Sequence, residues 1–305
     1  MTWELPSRIS LREVGPRDGL QNEDPVPTDA KVELVNALSA TGVERIEAVS
    51  YVRPQAIPQM ADADEVWSRV TRTPGVRYSA LVPNLRGAVR ALEGGFTELE
   101  AVVSASETHN KKNVNRSTGQ SLDEIAEIID LAHQRGATVQ VIVSTAWGCP
   151  YEGDVPAQRV VAVASRAVRD GADSASFGDT TGMATPTRVR ELVGAFRGAL
   201  PDTGLNLHFH NTRGTGLANV LAALELGVAD FDASVGGLGG CPYAPGATGN
   251  IATEELVHMA EDMGVATGVN LAALIDAAAE AERLVGHKLP SQVLRAGPRT
   301  RTIAP

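Results

Sequence analysis

Eight short β-rich segments alternate with longer segments of helical periodicity from one end of the chain to the other, and no other feature narrows the possible folds so far. The strand-like segments are RISLREV (8–14), RIEAVS (45–50), VRYSALV (76–82), LEAVVSAS (99–106), TVQVIVST (138–145), SASFGD (174–179), LNLHFHN (205–211) and DFDASVG (230–236). Val, Ile and Phe dominate several of them, as in parallel strands covered on both faces. Between them, TDAKVELVNALSATG predicts a helix opening on Thr28 and closing at Gly42. SLDEIAEIIDLAHQRG predicts one capped by Ser121, with Glu124 three residues on. TPTRVRELVGAFRGAL sets Pro186 just inside a helix start at Thr185. Gly-Ala or Gly-Val pairs at Gly42, Gly136, Gly171 and Gly227 read as helix ends feeding the next strand.

No Pro- or Ser-rich linker interrupts the series, so residues 1–305 read as a single domain in which 269–305 form a C-terminal extension. Eight strand–helix units predict an α/β protein, a (β/α)8 TIM barrel. A doubly wound open sheet is the alternative, but GPRDGL after the first strand is not a dinucleotide-binding Gly-x-Gly-x-x-Gly turn. The segment VNLAALIDAAAEAERLVG (269–286) adds a helix expected to close the rim or to meet a partner subunit in a homodimer or higher homo-oligomer.

Charge excludes some partners. A net charge of −10 and a pI near 5.1 argue against nucleic acid, whose phosphates need clustered Lys and Arg. No apolar run is long enough to span a bilayer, so no membrane partner is expected. MTWELPSRIS lacks the basic and apolar regions of a signal peptide, and Cys149 and Cys241 are too few for a disulfide framework. These features predict a cytoplasmic protein with free thiols.

In such barrels chemistry sits at the carboxyl ends of the strands. Arg17 and Asp18 follow the first strand, Glu47 lies on the second, Asp179 ends the sixth, and a Gly-rich loop holding Cys241 follows the eighth. In LHFH, His208 and His210 are two residues apart and face the same side of a strand, with Leu207 and Phe209 on the other. They are either a hydrogen-bonded pair on a polar rim or two ligands of a divalent metal, for which Asp18 supplies a carboxylate. That donor set favours Mg²⁺ or Mn²⁺, with Zn²⁺ open on ligand type alone. His109, His133, His258 and His287 are scattered and expected to be solvated or locally paired.

Five motifs carry a resemblance: EVGPRDGLQNE, SETHNKKNVNRS, GCPYEGDV, FGDTTGMATP and GGLGGCPYAPGATGNIATEE. In order from residue 13 to residue 255, they resemble the 3-hydroxy-3-methylglutaryl-CoA lyase family. The resemblance implies Asp18, His208, His210 and Asn250 as metal ligands, with Arg17 as a cation that binds substrate and acts in catalysis. It implies Cys241 as the catalytic thiol of a mobile loop, Glu47 as an acidic active-site residue, and Gln21 and Asp179 as substrate contacts. The implied reaction is retro-aldol cleavage of a branched 3-hydroxyacyl-CoA to acetyl-CoA and a keto acid, acetoacetate for the namesake. That implies an acyl-CoA as the small-molecule partner.

Lys111 and Lys112, with Arg116, form the compact basic cluster, either a contact for CoA phosphate or a solvated rim. Two positions depart from the family pattern: Asp24 stands where Lys is frequent, and Asn211 where Asp is common. Cys149 reads as structural. The nearest rival function is a condensing synthase or keto-acid aldolase on the same metal barrel. A Schiff-base aldolase needs a lysine inside the barrel, and none of Lys31, Lys111, Lys112 or Lys288 lies on a predicted strand.

Overall fold

The computed structural model describes residues 4–240 and 249–302. The strands are β1 (Ser10–Glu13), β2 (Arg45–Ser50), β3 (Arg77–Val82), β4 (Glu98–Ser104), β5 (Thr138–Ser144), β6 (Ser174–Gly178), β7 (Gly204–His208) and β8 (Asp230–Ala233). They close into a parallel barrel in sequence order, and the β1–β8 seam pairs Ser10 with Asp230 and Glu13 with Ala233. Helices α1 (Thr28–Ser39), α2 (Ala63–Arg69), α3 (Leu85–Glu93), α4 (Glu107–Val114), α5 (Thr118–Gln134), α6 (Ala157–Arg169), α7 (Pro186–Ala199), α8 (Gly216–Leu224) and α9 (Thr253–Asp262) form the outer ring. The expected (β/α)8 barrel is therefore the fold.

Strand parity explains where the core lies. Leu11, Ile46, Ala80, Leu99, Val141, Phe177, Leu207 and Phe231 face outward and are buried under the helices. Gly42, Gly136, Gly171 and Gly227 all have positive φ, which lets each helix end turn directly into a strand. Beyond the ring, α10 (Leu271–Val285) packs against α1 and the turn after β8, burying Leu274, Ala277, Ala278 and Ala281, and α11 (Gln292–Ala296) follows. The C-terminal segment thus closes the rim.

Two local expectations change. The fifth helix starts a turn earlier than Ser121: Ser117 caps it, and Gln120 reaches back to the Ser117 amide. Ser121 instead accepts a hydrogen bond from Asn110, and Glu124 pairs with Arg116, so tertiary partners claimed both side chains. Strand β7 stops at His208, and His210 lies beyond it, bridged to Asn250. After β1 the chain turns around one carbonyl. The amides of Arg17, Asp18 and Gly19 all donate to the Val14 carbonyl, a wide turn that brings Arg17 and Asp18 back over the barrel mouth.

The barrel interior is unusually charged for this fold, whose centre is ordinarily filled by branched apolar side chains. Arg12 on β1 is fully buried between Asp232 on β8 and Glu100 on β4. Arg45 sits beside it, paired with Asp230 and donating to Asn206. Buried pairs of this kind add little net stability, yet losing one partner costs about 3–5 kcal/mol because the other is stranded.

Candidate active site

A cavity of about 880 Å³ opens at the carboxyl ends of the strands. Arg17, Asp18, Gln21, His208, His210 and Asp232 line it on one side. Opposite them are Leu81, Val102 and Ile142 of β3, β4 and β5.

Asp18 uses its two oxygens differently. Oδ1 accepts from Arg17 Nη1 at 2.7 Å and from Gln21 Nε2 at 2.9 Å. Oδ2 accepts from Asn250 Nδ2 at 2.9 Å and lies 4.0 Å from His208 Nε2. Burial alone would raise this carboxyl, but Arg17, His208 and His210 outweigh it and hold Asp18 down to about 2.

Arg17 is held from a second direction by Glu47, whose Oε2 accepts from Nε at 2.7 Å and lies 2.6 Å from Nη2. A guanidinium carries five N–H groups, so contacts through Nε, Nη1 and Nη2 leave donors for a substrate oxygen. Burial pushes the Glu47 carboxyl up, against the pull of Arg17 and Arg12.

His208 and His210 converge as strand parity predicted, with their Nε2 atoms 3.1 Å apart. Burial and the neighbouring His208 bring His210 down to about 3, so its imidazole is neutral. For His208 burial acts in the same direction, but the Asp232 hydrogen bond and the Asp18 charge reverse it and the pKa rises.

Ligand atoms of Asp18, His208 and His210 lie within 4.8 Å of one another. Asn250 donates to Asp18 and to the Leu238 carbonyl, and its Oδ1 is buried without a donor among the described residues. One carboxylate, two imidazoles and an unused amide oxygen fit a divalent cation.

The other expected residues are less uniform. Asp179 is buried, and its Oδ1 braces the loop into α7 by accepting from the Met183 and Ala184 amides at 2.8 and 3.0 Å. Burial, only partly offset by those bonds, raises it to about 6. Its neighbours Gly178 and Thr180 line the cavity, and it does not. Lys111 and Lys112 are also off the lining: Lys111 lies 3.6 Å from Glu107, and Lys112 sits over the Tyr151 ring. The cations at the cavity rim are Arg116 and Arg53, and the latter follows β2. Cys241 falls outside the described residues. Cys149 is buried against the Ser106 hydroxyl at 2.9 Å. Asn211 Oδ1 accepts from the Gly216 amide. His133 pairs with Asp173, His258 accepts from the Arg299 amide, and His287 pairs with Glu23. His109, by contrast, is buried and lines the cavity. Lys31 pairs with Asp62 on the outside of the barrel, which leaves no interior lysine among the described residues.

Sequence reasoning missed Arg53, His109 and Asp232. For Asp232 a signal existed: in DFDA the two aspartates alternate with Phe231, so both face inward.

A closed (β/α)8 barrel whose mouth joins a carboxylate–imidazole cluster to a buried arginine defines a barrel protein with a candidate site for a divalent cation. Residues 8–280 match the HMGL-like family. A hydroxymethylglutaryl-CoA lyase of Bacillus subtilis is 46% identical over 95% of this chain and 97% of its own. A Pseudomonas aeruginosa enzyme named 3-hydroxy-3-isohexenylglutaryl-CoA/hydroxymethylglutaryl-CoA lyase is 42% identical over 96% and 98%. The solved structure of an HMG-CoA lyase from Acinetobacter baumannii with coenzyme A and 3-methylmalate is 45% identical, covers 98% of each chain and superposes with a TM-score of 0.93. The chain belongs to the HMGL-like family and is a carbon–carbon lyase of the hydroxymethylglutaryl-CoA lyase kind.

Proposed function

We propose that the enzyme cleaves 3-hydroxy-3-methylglutaryl-CoA, or a close branched 3-hydroxyacyl-CoA, to acetyl-CoA and a keto acid, acetoacetate for the namesake. The observation that carries this reading is the Asp18–His208–His210 cluster lying hydrogen-bonded to Arg17 in one cavity. The C2–C3 bond breaks as the tertiary hydroxyl gives up its proton and becomes a carbonyl. The bonding pair passes to the thioester side as an enolate, which takes a proton at carbon to become acetyl-CoA.

Asp18, His208, His210 and Asn250 would hold the cation, Mg²⁺ or Mn²⁺. When bound, it supplies Lewis acidity that makes the substrate hydroxyl easier to deprotonate. Arg17 places its remaining donors against the thioester oxygen, where negative charge develops. Glu47 and Asp18 fix the guanidinium from two sides, so it is oriented before substrate arrives. Gln21 keeps Asp18 Oδ1 occupied, and Oδ2 is left toward the cluster. Cys241, one residue past Gly240, is the proposed proton carrier to and from the enolate. Leu81, Val102 and Ile142 form the apolar wall for the carbon skeleton. Arg53 and Arg116 take CoA phosphate at the rim, with Lys111 and Lys112 set back behind them. No helix among the described residues is long and apolar enough to cross a membrane.

The test is a screen of branched 3-hydroxyacyl-CoAs with Mg²⁺ or Mn²⁺, reading acetyl-CoA release. Cleavage restricted to substrates without a thioester would favour the keto-acid aldolase reading instead.

A further inference from the structure

The two clustered histidines are held very differently on the side away from the cluster. His208 Nδ1 lies 3.2 Å from Asp232 Oδ2, whereas His210 Nδ1 is buried with no partner among the described residues. Asp232 is itself fixed from below. Arg12 donates to it through Nε at 2.8 Å and Nη2 at 2.9 Å, a bidentate fork, and Asn206 Nδ2 adds a third bond at 2.9 Å. Arg12 is anchored in turn by Glu100. Arg12, Asp232, Asn206 and Glu100 are all buried.

A carboxylate that receives three N–H bonds from Arg12 and Asn206 can only accept. The proton between Asp232 and His208 must therefore sit on His208 Nδ1, and in the neutral imidazole that a metal requires the lone pair is then on Nε2, the atom facing Asp18 and His210. The register of the barrel supports the same geometry, since Arg12 and His208 both lie opposite Asp232 on the strands flanking it.

We infer that Asp232, locked by Arg12, is a positioning residue that presets the tautomer and ring orientation of His208 as a metal ligand, while His210 is left for the cation itself to orient. The inference rests on the metal-site reading above. It assigns a reason for the buried charge in the barrel centre: Arg12 and Glu100 brace a ligand that lies one layer above them. Outer partners of metal-bound histidines typically change affinity by about 10–100-fold.

The experiment measures Mn²⁺ binding by calorimetry on the full chain, without substrate, for wild type, His210→Ala and Asp232→Asn. Asp232→Asn should weaken Mn²⁺ by about 10–100-fold, with turnover recovering in part at excess Mn²⁺. A folded Asp232→Asn protein with wild-type Mn²⁺ affinity overturns the inference alone. Wild-type protein that binds no Mn²⁺ overturns the metal-site reading and the inference with it. Because Asp232→Asn strips a partner from buried Arg12 and can fail to fold, a second measurement uses wild-type protein. Nitrogen-15 NMR of histidine-labelled, Mg²⁺-saturated enzyme should show His208 protonated at Nδ1 and bare at Nε2. A proton on Nε2 overturns the assignment.

Discussion

On the β1, β7 and β8 side the cavity presents Arg17, Asp18, His208, His210 and Asp232; on the β3–β5 side it presents Leu81, Val102 and Ile142. The polar half is built of two hydrogen-bonded runs that meet at the Asp18–His208 approach of 4.0 Å. One leads from Glu47 through Arg17 and Asp18 to Asn250, the other from Arg12 through Asp232 to His208. Leu81, Val102 and Ile142 make an apolar wall shaped by packing, with the polar residues of that side, among them Asn84, Ser144 and Arg116, set around it. A parallel barrel permits this division because each strand contributes its inward residues independently of its neighbours. Reactivity can then be built on three strands while fit to the substrate is tuned on three others. In the first half a lost atom strands a buried partner; in the second it only enlarges a space.

The sharpest contrast should come from removing a ligand. His210→Ala is expected to lower kcat/KM by more than about 10³-fold, since the cation supplies several kcal/mol of charge stabilisation, and to abolish Mn²⁺ binding while circular dichroism stays native. Retained Mn²⁺ binding would mean that the cluster is not the metal site.

Arg17→Gln should come next, with kcat down by about 10²–10³-fold and KM changed much less, because its charge matters most as the enolate forms. Steady-state kinetics at saturating Mn²⁺ separate the two parameters. A defect confined to KM would reduce Arg17 to a binding group.

On the apolar side, Ile142→Ala should raise KM by about 10-fold and leave Mn²⁺ affinity unchanged. It should also improve the relative rate on substrates with a longer 3-alkyl branch. Loss of Mn²⁺ affinity in this variant would break the comparison, since the two halves would then be mechanically coupled.

The smallest effect is expected at the rim. Arg53 is exposed, so Arg53→Ala should raise KM for the CoA substrate only about 2–5-fold, and less at high salt. Lys111→Ala serves as the control and should not change KM.

Much of this was legible from residue order. The eight strand–helix beats named the barrel, and period-2 spacing placed His208 and His210 on one face. Asp232 and Arg12 obey the same parity, but isolated polar residues in strands carry no pattern that says which partner they meet. Their partners are 220 positions apart in sequence for the Arg12–Asp232 pair. Arg53 and the Ser117 cap were hidden for a different reason: each lies in a segment whose local propensities allow several registers, and tertiary contacts chose one.

By itself, the sequence determined the class of fold, the barrel mouth at which the polar residues converge, and the ligand types available there, because these follow from local periodicity and from the direction of the strands. Tertiary structure alone decided that Asp18 divides its oxygens between Arg17 and the cluster, that Asp179 braces a loop, and that one histidine is braced from beneath while the other is not. Those outcomes depend on which side chains barrel closure brings within about 3 Å of each other, the reach of a hydrogen bond. Closure joins residues from opposite ends of the chain, and no local pattern encodes that distance.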